Sequence, residues 1–115
     1  MNNAKVVSPP SIDAIMADQV YHLRKAAGLL TGDYDLRRVI LAACDEFWAA
    51  MFDPDKWPAE LLEKAHLIVE QILHDGPIRK TLANLDDDAM RRIAEDIKQL
   101  AAEVETNREE LLLSA

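Results

Sequence analysis

Residues 36–58 read LRRVILAACDEFWAAMFDPDKWP, and the spread of apolar side chains through them sets the architecture of the chain. Leu36, Val39, Ile40, Ala43, Phe47 and Met51 recur at the spacing of a helix with 3.6 residues per turn. Leu41, Cys44, Trp48 and Phe52 widen that side to more than half of the circumference. The spacing predicts a helix over 34–52. A helix this apolar sits in the centre of a bundle or is covered by a partner. Asp53-Pro54-Asp55-Lys56-Trp57-Pro58 then makes a turn. Pro58 suits the first turn of the following helix, where its missing N–H would have no partner in any case.

Working outward from this elbow, a further helix is expected over 58–74. Its stripe is Leu61, Leu62, Ala65, Ile68, Val69, Ile72 and Leu73, and Asp75-Gly76-Pro77 ends it. A short helix follows over 78–84. Asp86 reads as the cap of a last long helix reaching about residue 112. Leu85 and Met90 are placed for a hydrophobic staple, and Asp87 and Asp88 lie in the first turn, where the helix dipole favours negative charge. In the other direction, Ile12, Ile15, Met16, Leu23, Ala26, Ala27 and Leu30 predict a helix over 11–30, capped by Ser11. Thr31-Gly32-Asp33 breaks it, with Gly32 as the stop and Asp33 as the cap of the next helix. Residues 1–10, ending in Ser8-Pro9-Pro10, read as a flexible arm. The expected fold is all-α: four main helices in an antiparallel bundle with one additional short helix, forming a single helical domain over 11–115.

Composition supports this and narrows the function. Half of the residues are apolar, and only three glycines and five prolines occur, so the chain has both a core and a helical bias. The formal charge is −8, from 21 acidic and 13 basic side chains. Duplex nucleic acid repels such a surface unless basic residues are concentrated on one patch. The pairs Arg24–Lys25, Arg37–Arg38, Arg79–Lys80 and Arg91–Arg92 are scattered and interleaved with acids, so no nucleic-acid partner is expected. A single cysteine allows no internal disulfide, which points to a reducing, cytoplasmic compartment. Met1 to Pro10 form neither a signal peptide nor a membrane span, and no membrane association is expected.

Few side chains offer chemistry. Glu63, His66, Glu70 and His74 stand at spacings of three, four and four, as neighbours along one helix. A His and Glu set of this kind could hold a divalent metal, and Glu63-x-x-His66 resembles half of the di-iron carboxylate motif of ferritin-like bundles. The other half is missing, because Gln19 precedes His22 and Gln71 precedes His74 at the matching distance. The wheel also puts His66 at the border of the apolar stripe and turns the other three to solvent. Asp33-x-Asp35, Asp53-x-Asp55 and Asp86-x-Asp88 begin like calcium loops, but Cys44, Lys64 and Ile97 stand where such a loop needs glutamate. Cys44 lies mid-helix among apolar residues and reads as an inert buried thiol. No cofactor and no catalytic residue is assigned, and enzymatic activity is not expected.

The aromatic residues are more informative. Phe47, Trp48, Phe52 and Trp57, four of the six, crowd into the elbow. One reading makes them an end of the bundle core, and the spacing inclines towards placing Trp48 inside. The other makes Leu41, Trp48, Phe52 and Trp57 a partner-binding patch. In the last helix, Met90, Ile93, Ile97, Leu100, Val104, Asn107 and Leu111 form a heptad seam with Asn107 as its polar member. Residues 90–104 are expected to serve the core, while Asn107, Leu111 or the wide face of the 34–52 helix meets a second copy. Parallel self-pairing would set Glu103 beside Arg108 of that copy. The expected function is a non-enzymatic helical protein–protein interaction module, a homodimer that acts as an adaptor or regulatory subunit for an unknown protein partner. The alternatives are a small-molecule- or metal-binding bundle, and an acidic inhibitor that mimics DNA. For the last, the segment from Asp86 to Ala115 carries nine acids against four bases.

Overall fold

A computed structural model of the chain describes residues 17–32 and 35–114, with residues 111–114 described by backbone alone. It is an antiparallel bundle of five helices: α1 (Ala17–Thr31), α2 (Leu36–Ala50), α3 (Ala59–Ile72), the short α4 (Ile78–Asn84) and the long α5 (Asp87–Ser114). A 3₁₀ turn, Pro54–Lys56, lies between α2 and α3. The N-terminal arm, the expected start of the first helix and Asp33 fall outside the described residues.

The helix ends follow their local chemistry. At the start of α2 the capping residue is Asp35, whose carboxylate accepts the Arg37 N–H at 3.1 Å. The helix stops at Ala50, two residues short of expectation, because the Met51 N–H turns back to Trp48 O at 3.0 Å and the Phe52 N–H to Ala49 O at 3.2 Å. Pro58 stands just before α3 rather than inside its first turn, and its carbonyl accepts the Leu62 N–H at 2.9 Å. Gly76, at φ 104°, supplies the left-handed turn between α3 and α4. Asp86 caps α5 as expected, accepting the Ala89 N–H at 2.8 Å, and the flanking Leu85 and Met90 both join the core.

The core takes Val20, Leu23, Ala26 and Leu30 from α1 and Ile40, Ala43, Cys44, Phe47 and Ala50 from α2. From α3 it takes Leu61, Ala65, Ile68 and Ile72, and from α5 Met90, Ile93, Ala94, Ile97, Leu100, Ala101 and Val104. Alanines 26, 43 and 65 have no exposed surface, and their small side chains let neighbouring helices approach closely. α1 packs tightly on α2 and on α5, and α3 lies on α5 but only loosely beside α2. The heptad seam as far as Val104 is therefore used within the chain, because its side chains fill the space between α5 and the three other long helices. Glu103 pairs with Lys64 of α3 at 2.6 Å and with Gln99 at 3.1 Å, so its charge is already matched within the chain. Lys64, and then Gln99, hold the Glu103 carboxyl below the usual carboxylate range. Among the described residues, no helix is long and apolar enough to cross a membrane.

Candidate functional site

The elbow after α2 splits the aromatic cluster in two. Phe47 and Trp57 are buried, whereas Trp48 is 47% exposed and Phe52 86% exposed. The split follows from helix geometry and one hydrogen bond. Phe47 lies seven residues after Ile40 and four after Ala43, on the stripe that faces α1 and α5. Trp48 is rotated about 100° from it, beyond the reach of those helices. The 3₁₀ turn then folds the chain back: Lys56 N–H reaches Asp53 O and Trp57 N–H reaches Pro54 O, each at 3.1 Å. This brings the Trp57 indole under the end of α2, where Nε1–H donates to Ala50 O at 3.0 Å. That carbonyl is one of the terminal acceptors a helix leaves without an internal partner.

Trp57, a partner-binding candidate in the sequence, thus belongs to the core. Trp48 belongs to the surface, against the inclination to place it inside. The reason is that the α2 stripe is wider than α1, α4 and α5 can cover. Leu41, further up the same side, is half-buried in a shallow hollow lined by Arg37, Arg79 and Leu82, where α4 partly covers it. Below Leu41 the cover ends.

What remains is a groove of about 410 Å³ between the end of α2 and the middle of α3, lined by Trp48, Met51, Phe52, Pro54, His66 and Val69. Sequence reasoning missed His66 and Val69 as its second wall; the signal was His66 at the border of the α3 stripe. Leu67, one position on, is 57% exposed and faces the other way. It helps line a separate hollow against α5, of about 270 Å³, with Ile68, Asp96 and Leu100.

The four metal-ligand candidates are not brought together by their neighbours. Glu63, His66, Glu70 and His74 are all exposed, His66 facing the α2 groove while Glu70 and His74 share a hollow with Leu85 and Arg92. Among the described residues, no group of three or more His, Cys, Asp or Glu side chains is placed to hold a metal ion. Cys44 is fully buried, and burial, with Asp45 beside it, pushes its thiol up to about 12. A thiol held protonated at neutral pH is a poor nucleophile. At the seam's far end, Asn107 is half-buried and, among the described residues, its Oδ1 has no hydrogen-bond partner, while the Leu111 side chain lies outside the described residues.

The other polar cluster ties α1 to α2. His22 Nδ1 lies 2.8 Å from Glu46 Oε2, and Lys25 Nζ lies 3.2 Å from Oε1. The His22 hydrogen bond, and then Lys25, hold the Glu46 carboxyl below the usual range. Lys25 also sits 5.3 Å from the centre of the Tyr21 ring. Each of these groups has a structural partner. Compared with known families, with curated proteins and with solved structures, the chain gives no match, so its function must be read from its own geometry.

Proposed function

We propose that the chain is a non-enzymatic helical interaction module, an adaptor or regulatory subunit that docks another protein on the α2–α3 face. The observation that supports this most directly is the exposure of Trp48 and Phe52 side by side at the mouth of an apolar groove. Single exposed apolar residues are ordinary, but a large aromatic pair at a helix end and the turn after it, beside a preformed hollow, is the composition of a binding hot spot. Chemistry offers less support for an alternative. Burial holds the one thiol protonated, and His66 faces the α2 groove while Glu70 and His74 face another hollow.

Affinity purification of the tagged full-length chain from its source cells tests the reading. The double variant Trp48→Ala/Phe52→Ala, first shown to melt like a folded protein, serves as the comparison. The module reading expects a protein retained by the wild type and lost by the double variant. Retention of the same proteins by both contradicts it.

A further inference from the structure

We infer that the α2–α3 groove receives the apolar side of a basic amphipathic helix from another protein. This rests on the reading of that face as a docking surface, and it specifies the occupant. Two features select it.

The first is shape. The walls are two helices that do not pack closely on each other, and between them lie the apolar side chains of Trp48, Met51, Phe52 and Val69. The hollow is open along its side. A compact small molecule there would stay half-wet, whereas side chains projecting one turn apart from a third helix would fill it while that helix shields Trp48 and Phe52 from water.

The second is charge. Asp45 lies one turn before Trp48 on α2, and Asp53 and Asp55 flank Pro54. Glu63 lies three before His66 on α3, within neighbour distance along a helix. All four acids are exposed. Lys56 lies among them, its Nζ 4.0 Å from Asp53, and His66 lines the groove itself. An apolar groove with such a rim attracts a partner that carries lysine or arginine beside its apolar stripe. It also disfavours a second copy of this chain. Two such faces brought together would oppose the same acids, and each molecule carries a net −8.

The test uses the full-length chain and a synthetic amphipathic peptide of about 18 residues, long enough to form a helix, with leucines at helical spacing and lysines elsewhere. Two controls are a peptide with glutamate in place of every lysine and a scrambled leucine–lysine peptide of the same composition. Binding is followed by the tryptophan emission, in which Trp48 is free to respond. The expected result is a blue shift with the lysine helix, absent with both controls, and a Kd raised about tenfold or more by Phe52→Ala. Phe52 is largely exposed, so the variant retains its fold; a thermal melt checks this. Equal binding of the glutamate or scrambled peptide, with loss on Phe52→Ala, overturns the basic-helix inference and leaves the docking face standing. Binding that ignores Phe52→Ala overturns both. Absence of binding by all three peptides overturns the inference. So does a wild-type dimer, seen by light scattering at micromolar concentration, that Phe52→Ala dissociates; the occupant is then a second copy.

Discussion

The two tryptophans stand nine residues apart on either side of one turn, and they do opposite work. Trp57 is 5% exposed and ties the returning chain to the end of α2 through its indole N–H. Trp48 is nearly half exposed and, among the hydrogen bonds of the described residues, its indole N–H takes no part. The same residue type is a structural clamp in one place and an unfilled contact in the other. The difference lies in what the neighbouring helices can cover. A helix of about 10 Å diameter surrounded by α1, α5 and the short α4 has one side left over, and Trp48 is on that side.

The largest expected effect breaks the inner half. Trp57→Ala leaves a cavity and frees the Ala50 carbonyl, and should cost about 3–5 kcal/mol in urea unfolding. A cost below about 1 kcal/mol would mean that the clamp is not structural. Next comes Trp57→Phe, which keeps most of the ring and loses the hydrogen bond to Ala50. It should cost about 1–2 kcal/mol, and the difference between the two variants separates packing from hydrogen bonding.

A smaller effect sharpens the contrast without unfolding anything. In Trp57→Phe the remaining Trp48 should be quenched readily by acrylamide, and in Trp48→Phe the remaining Trp57 should be shielded. Similar quenching of the two would contradict the assignment. The smallest effect is a control on the covered side of α2. The Glu46 carboxyl is depressed first by His22 and then by Lys25, so its contribution to stability is present above the unfolded pKa and is lost as pH falls through the folded value. His22→Ala should move the Glu46 titration upward towards the ordinary carboxylate range, read by carboxyl NMR. The emission of Trp48, on the opposite side of the helix, should not change with it.

Much of this was legible in the chain. The helix class, the short helix over 78–84 and the Asp86 cap follow from periodicity and capping residues, which act locally. The seam from Met90 to Val104 was legible as a stripe, and its use inside the core was expected. The roles of Trp48 and Trp57 were not legible. They depend on the path of the Asp53–Pro58 turn and on how loosely α3 sits beside α2, and both are set by packing between distant residues. Periodicity could mark the α2 stripe as too wide but could not say which part stays uncovered. For the same reason it placed Glu63, His66, Glu70 and His74 on one helix without revealing that His66 and His74 face different hollows.

The outer half of the elbow is not needed for folding. Urea unfolding of the Trp48→Ala/Phe52→Ala double variant tests it most directly. Both rings already meet solvent, so the account predicts an unfolding free energy within about 1 kcal/mol of the wild type and an unchanged slope. A loss of about 3–5 kcal/mol, equal to that of Trp57→Ala, would show that the two rings are core and would leave the docking face without support.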